Sequence, residues 1–331
     1  MAPMGKRVAL VTGAGGFVGR RVVEVLRRRG YRVKAGIHRA ASADLFEALD
    51  NVEPIMIDIL NRHTLLPALA GVDTVYHFAA LLDAKASIKD LTRVNVEGTK
   101  NIWECAAACS VRRALYCSSA AVYGLLARAV QPISEDVRPR AIEPYGRSKL
   151  IGESVVREIA AVSGLATVII RPAAVFGPGD RTSFGQLLRQ AAVSKLLVGG
   201  AVQPWSFSFA HVEDVAEAAV HLMHAEDTEG QSFNIAVNRS ISFDEAFRSY
   251  LNVLDRAGRS FSRARAVARL SAAAQKLPPV LQTLIRYTGN HLVFTIWHPG
   301  FDITYSSKKL LATSFRFKWE RFDDVLSSCL D

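Results

Sequence analysis

VTGAGGFVGRRVVEVLRRRG, residues 11–30, passes from an apolar β-branched run through a glycine-rich turn into an amphipathic helix. Gly13, Gly16 and Gly19 recur there at three-residue intervals. Glycines at such a turn let the chain reverse tightly, let backbone N–H groups approach a pyrophosphate, and bring helix and strand close together. The spacing departs from G-x-G-x-x-G because Val18 takes the last glycine position. A glycine triplet alone is a weak signal; its place in the first strand-turn-helix unit gives it weight. Gly13, Gly16, Phe17, Val18 and Gly19 are the expected dinucleotide cradle.

Working outward, short apolar runs (RVALVTG, YRVKAGIH, VEPIMIDI, VDTVYHFAA, RRALYCSS, ATVIIRP) alternate with longer amphipathic ones up to Arg171. Strands alternating with helices imply crossover connections and a parallel sheet covered on both faces. The fold class is therefore α/β, a doubly wound parallel sheet of the Rossmann kind. Beyond Arg171 the pattern loosens, with turns at FGPGD and LVGG and helices in VEDVAEAAVHLMHAED and SFDEAFRSYLNVLDRAG. The expected division is a dinucleotide-binding domain over residues 1–172 and a smaller, mostly substrate-binding region over 173–331, some of whose elements pack back on the core.

Later strand ends extend the cofactor site. Where an acidic residue would hold the adenosine ribose 2′-hydroxyl of NAD, the second strand ends in His38 and Arg39. Arg39 can pair with a 2′-phosphate, which favours NADP(H), with NAD(H) as the alternative. Asp58, followed by Ile59, ends the third strand where it can accept a hydrogen bond from the adenine amino group or cap a helix. Ala79 and Ala80 follow the fourth, small enough for a ribose to lie against the backbone.

EPYGRSKLIGE, residues 143–153, holds Tyr145 and Lys149 one helical turn apart, so their heads can meet one ligand. A tyrosine with a pKa of about 10 is a poor base at neutral pH. A neighbouring ammonium and a cationic nicotinamide would make it a usable acid or base. Y-x-x-x-K by itself is common and equally describes a packed tyrosine beside a solvated lysine. The strand end ALYCSSAAVYG adds Ser118 and Ser119 at the mouth of the same sheet, Ser119 being the more outward and Ser118 the alternative.

In TGAGGFVG, Asp58, HFAA, Asn95 within VNVEGTKN, SSAAVYG, YGRSK, RPAAVFGPGD and HVEDVAEA, taken in order, the chain resembles the extended short-chain dehydrogenase/reductase superfamily, also called the NAD(P)-dependent epimerase/dehydratase superfamily. The resemblance covers nearly the whole chain. It implies that Ser119, Tyr145 and Lys149 form the catalytic set and that Asn95 supports the neighbouring helix and the active-site water network. It further implies that Pro172 and Val175 lie near the nicotinamide, that His211 and Asp214 shape the interface between the regions, and that the protein is a homodimer.

The superfamily holds dehydrogenases, ketoreductases, epimerases, dehydratases and members that only bind, and the fold does not choose among them. Sugar dehydratases of this type carry an Asp-Glu pair after the active hydroxyl, whereas Ala120 and Ala121 follow Ser119. The His38-Arg39 pair suits an enzyme that exchanges NADP(H) better than an epimerase retaining NAD. The C-terminal stretch FDITYSSKKLLATSFRFKW looks like the 3β-hydroxysteroid dehydrogenase-like and dihydroflavonol reductase-like branch. The expectation is therefore hydride transfer to or from a secondary alcohol or ketone on a lipophilic, steroid-like or polyketide-like small molecule. Nucleotide-sugar epimerization with bound NAD is the alternative, and a silent cofactor-binding regulator is the alternative of another class. Trp205, Phe207 and Phe209 either line a pocket for a lipophilic substrate or belong to the core.

Composition bounds the rest. The formal charge of +10 over 331 residues is concentrated where no Asp or Glu occurs, from Arg256 to Phe301. Arg265, Arg269 and Lys276 there flank an apolar stripe of Val267, Leu270, Ala274 and Leu277, a pattern that suits a helix packed on its own domain with solvated arginines, peripheral contact with an anionic membrane, or a cap on an apolar pocket. Nucleic acid is not expected, since no nucleic-acid motif is present. Four cysteines without paired metal spacing read as buried thiols, and no metal site is expected. With no signal-like or membrane-spanning apolar run, the expected location is cytoplasmic.

Overall fold

A computed structural model describes residues 7–83, 86–124, 131–180, 206–256 and 303–329. Six strands, β1 (Val8–Thr12), β2 (Arg32–Ile37), β3 (Val52–Met56), β4 (Thr74–His77), β5 (Arg113–Cys117) and β6 (Ala166–Pro172), carry the first half. Between them lie α1 (Phe17–Arg28), α2 (Arg62–Leu69), α3 (Ile88–Thr92), α4 (Gly98–Ala108) and α5 (Pro144–Ser163). The second half adds β7 (Ala174–Phe176), β8 (Ser206–His211), α6 (Val212–Leu222), β9 (Ser232–Ile235), β10 (Ser240–Ser242), α7 (Phe243–Arg256), α8 (Lys308–Ala312) and α9 (Phe322–Ser328). The basic stripe at 263–277 and Trp205 lie outside the described residues.

Seven strands pair in parallel in the order β3-β2-β1-β4-β5-β6-β9. Burial on both faces explains why these strands read as continuous apolar runs rather than as alternating ones. Ala9 and Val11 face α1 and α6, packing with Val22, Val23 and Leu26, while Leu10 faces the other side with Ile102, Trp103 and Ile169. Two second-half elements belong to this core: β9 pairs with β6, and α6 lies against α1. A second, three-stranded sheet, β10-β8-β7, forms beside it.

Phe207 and Phe209 of β8 take the second of the two readings open to them, the core. Both are buried in the core, edge-on to Phe322 with ring centroids 6.2 and 4.9 Å away, so they hold α9 down rather than line a pocket. Their alternate neighbours are serines, and the short strand hid which face is the core. Of the four cysteines, none of them in a disulfide, only Cys105 is fully buried; Cys109, Cys117 and Cys329 are partly exposed.

A buried polar chain crosses the core below the strand ends. The Thr99 hydroxyl donates to the Asn95 carbonyl at 2.7 Å, so it accepts from His77 Nε2–H at 3.0 Å. His77 Nδ1 is then the acceptor for the Thr12 hydroxyl at 2.6 Å, and the Thr12 oxygen accepts from the Ala79 N–H at 3.3 Å. Burial, with repulsion from Lys149, pushes His77 down to about 3. His211, stacked on Trp319 at 4.1 Å and hydrogen-bonded to Ser328 at 3.0 Å, is pushed down to about 4, mainly by burial.

Both imidazoles are thus neutral in the folded chain and protonate near 6.5 once it unfolds. Below that pH the unfolded state binds more protons, so stability is full above 6.5 and falls as pH drops towards the folded values. Each contributes a slope of about 1.4 kcal/mol per pH unit within its window. Urea unfolding of His77→Gln between pH 4 and 6 should show a slope lower than wild type by about one proton; an unchanged slope would mean that His77 is protonated in the folded chain.

Candidate active site

Parallel pairing brings the C-terminal ends of the strands to one edge: Thr12 is in register with Gly36 and His77, His77 with Tyr116, and Cys117 with Ile170. Connections from β1 and β4 depart in opposite directions, which opens a crevice there. Gly13 turns into it at φ +67°, and a Cβ on it would lie 2.6 Å from the Ala79 nitrogen. A Cβ on Gly19 would run into the Gly13 carbonyl, so α1 can pack this close only without one. Gly16 is the N-cap and offers no side-chain acceptor, and the first turn of α1 carries no acid. The N–H groups of Phe17, Val18 and Gly19 therefore present an uncapped positive helix end.

His38 and Arg39 follow β2 on the same rim and are exposed. Ala79 is partly buried and Ala80 exposed beyond β4; Pro172 is buried at the end of β6, and Val175 is partly buried on β7. Asp58 is first a turn former: its Oδ1 accepts from the Leu60 N–H at 2.9 Å. It is not the helix cap, since Asn61 caps α2 by accepting from His63 N–H at 3.0 Å. Ile59 turns towards α4, packed where a Cβ on Gly98 would be. Backbone donors, glycines that no other residue can replace and a basic rim fit the diphosphate of a nicotinamide dinucleotide. Among the described residues no group of His, Cys, Asp and Glu could hold a metal ion.

Across the crevice, α5 packs its first turns on the short 3-10 turn Ala120–Tyr123 that follows Ser119. Ser119 is partly exposed, and its hydroxyl oxygen accepts from Ala121 N–H at 3.2 Å. Burial pushes Tyr145 above its ordinary value, and the neighbouring Ser119 hydroxyl acts the other way. Lys149 is buried, with Nζ 4.4 Å from the Tyr116 ring centroid, and burial draws it down to about 8. Ser118, the alternative hydroxyl, points inward and donates to Glu153 at 2.6 Å, so it is not at the mouth.

Asn95 sits in a π-helical turn, Arg93–Glu97, with both ends of its amide committed. Its Oδ1 accepts from Leu81 N–H at 2.7 Å, while Nδ2 donates to the Leu81 carbonyl at 3.0 Å and to Ser148 Oγ at 2.9 Å. Ser148 in turn donates to the Tyr145 carbonyl at 2.7 Å. Asn95 thus braces the crevice wall against the turn that carries Tyr145.

Sequence reasoning missed the buried pair behind this site. Glu153 and Arg171 meet bidentately at 2.8 and 2.6 Å, and Arg171 also donates to the Tyr123 hydroxyl at 2.8 Å. An arginine ending the otherwise apolar strand ATVIIRP was the available signal. Asp214 accepts from the N–H groups of Lys318 and Trp319, both at 3.0 Å, and so ties the C-terminal segment to α6.

Residues 9–236 match the model of the NAD dependent epimerase/dehydratase family. The chain belongs to that family. It is 32% identical over 254 residues to a 3 beta-hydroxysteroid dehydrogenase/Delta 5→4-isomerase of Mycobacterium tuberculosis, covering 73% of this chain and 68% of that protein. A 3-beta-hydroxysteroid dehydrogenase of Mycolicibacterium neoaurum is 30% identical over 277 residues, 79% of this chain and 73% of that one. The match to protein y4nG of Sinorhizobium fredii, 33% identical over 218 residues and 65% of this chain, spans only about half of that relative, 52%. Among solved structures, a UDP-glucuronic acid 4-epimerase from Bacillus cereus in complex with NAD has a TM-score of 0.71 at 20% identity, covering 97% of both chains. That likeness shows the fold, a Rossmann-like parallel sheet with flanking helices.

Gly13→Ala forces a Cβ into a left-handed turn at a cost of about 1–2 kcal/mol and pushes Ala79 off the crevice wall. Fluorescence titration with NADH and NADPH should show both affinities falling at least about tenfold, with a lowered Tm. Unchanged binding of both would place the dinucleotide elsewhere.

Proposed function

We propose that the protein transfers hydride between a nicotinamide dinucleotide and a secondary alcohol or ketone on a lipophilic small molecule. The convergence of Ser119, which starts the turn after β5, and Tyr145, in the first turn of α5 packed on that turn, with Lys149 one helical turn further on, carries this proposal. When bound, the dinucleotide supplies or accepts the hydride. Tyr145 moves the proton of the substrate hydroxyl, Ser119 orients the substrate oxygen, and Lys149 holds the ribose hydroxyls and favours the phenolate. Because Tyr145 lies above its ordinary value and stays protonated at neutral pH, it is suited to act as an acid, donating to the oxygen of a ketone as the carbonyl carbon is reduced. The two mycobacterial relatives named as hydroxysteroid dehydrogenases support a lipophilic substrate. His38 and Arg39, exposed on the rim where a ribose 2′-substituent would lie, support NADP(H) over NAD(H). The likeness to epimerases at about one-fifth identity bears on the fold alone.

Tyr145→Phe removes the proton donor and leaves the cradle intact. Its kcat on reducible lipophilic ketones should fall by about 10²–10⁴ while NADPH affinity changes little; full activity would sink the assignment. Arg39→Ala should weaken NADPH much more than NADH in parallel titrations. Equal losses would mean that Arg39 does not read a 2′-phosphate.

A further inference from the structure

We infer that Glu153 is a positioning residue of the reaction centre, holding Ser119 outward through Ser118 and giving the buried Lys149 ammonium its counter-charge. This rests on the proposed roles of Ser119, Tyr145 and Lys149. Tyr145, Lys149 and Glu153 occupy positions i, i+4 and i+8 of α5, one stripe on the face turned into the core. Glu153 is 3% exposed and Lys149 is 3% exposed, so neither charge is satisfied by water.

The hydrogen bonds of Glu153 are divided in a way that a purely structural ion pair does not require. Oε2 accepts from Arg171 Nη2 at 2.6 Å, whereas Oε1 accepts both from Arg171 Nε at 2.8 Å and from the Ser118 hydroxyl at 2.6 Å. The Ser118 N–H is also fixed, donating to the Ile170 carbonyl at 2.8 Å. Ser119 follows in extended backbone, φ −159° and ψ 150°. Successive side chains in an extended chain point to opposite sides, so drawing Ser118 inward turns Ser119 outward to Tyr145.

Every group facing Lys149 bears on its charge. The Cys117 thiol of β5 is raised to about 11 and the Tyr145 phenol of α5 is raised as well, so both are neutral near pH 7. His77 of β4 is neutral, and Tyr116 of β5 offers only its ring, its hydroxyl being raised. After the neutral Cys117 thiol, Glu153 is the group that favours the Lys149 ammonium, and it does so from one helical turn along α5 rather than as a direct ion pair, its oxygens being held by Arg171 and Ser118. Arg171 of β6, and Arg157 with Nη2 3.9 Å from Oε2, temper it without supplying a second anion.

Three variants, Glu153→Gln, Glu153→Asp and Ser118→Ala, separate the two roles. The ionisation midpoint of Lys149 is read without cofactor or substrate, by competitive acylation against pH and mass spectrometry of the α5 peptide. Glu153→Gln should lower that midpoint by about one pH unit, and the alkaline limb of kcat should move with it. Glu153→Asp keeps the charge but is one methylene too short to reach Ser118, so it should hold the midpoint and lose kcat. Ser118→Ala, which removes no charge, should lower kcat about tenfold with NADPH affinity and the Lys149 midpoint unchanged. A wild-type midpoint retained in folded Glu153→Gln overturns the counter-charge, and wild-type kcat in Ser118→Ala overturns the orientation of Ser119. If Glu153→Gln does not fold, the midpoint in Glu153→Asp and the kcat of Ser118→Ala carry the test: a midpoint that falls despite the retained charge overturns it equally. Wild-type protein that turns over no ketone or alcohol would instead refute the proposed function, and the acylation midpoints would still decide the role of Glu153.

Discussion

All seven strands of the main sheet run the same way, and that single constraint places everything else. Parallel strands must be joined by crossovers, most of which here carry helices, and these cover both faces, so the apolar surface of both faces is consumed in packing. What remains for chemistry is the edge where the strands stop. Residues far apart in the chain, from Gly13 to Val175, reach one crevice because each follows a strand end on that edge. No recognition between those segments is needed to bring them there.

The edge also determines how charge is handled. On the dinucleotide side the protein offers backbone N–H groups and an uncapped helix end, which cost nothing to ionise and cannot titrate. On the reacting side it buries titratable groups instead, and burial moves each towards its neutral form: the tyrosine upward, the lysine and His77 downward. The two halves are joined by the hydrogen-bonded run from Thr12 through His77 and Thr99 to the Asn95 carbonyl, with the Asn95 side chain continuing to Ser148. Its members are neutral, so it can transmit position without storing charge.

Much of this was legible in the sequence, because strand-turn-helix spacing is local. The glycine turn, the order of strand ends and the Tyr145-Lys149 spacing are all set by neighbours within a few residues. What was not legible depends on contacts across the chain. Asp58 read equally as a helix cap, but Asn61 caps α2 and one Asp58 oxygen closes a turn onto Leu60. Phe207 and Phe209 read as pocket or core until α9, more than a hundred residues later, packs on them. Ser118 and Ser119 were separated only in part by counting along the strand; what distinguishes them physically is a carboxylate from α5 and an arginine from β6. His77, inside an apolar run, gave no sign that a threonine would meet each ring nitrogen.

The seventh strand has a consequence for how the chain is made. β9 pairs with β6, yet it is synthesised only after β7, β8 and α6. Until residue 235 leaves the ribosome, β6 is an outermost strand with its hydrogen-bonding groups open along Ile169–Pro172. α1 likewise lacks α6, the helix that shields it in the finished molecule. The nascent first half is therefore a template that other chains can join. Cutting the gene at residue 172 would not release a self-sufficient nucleotide-binding module; it would freeze the polypeptide at its most aggregation-prone stage of growth.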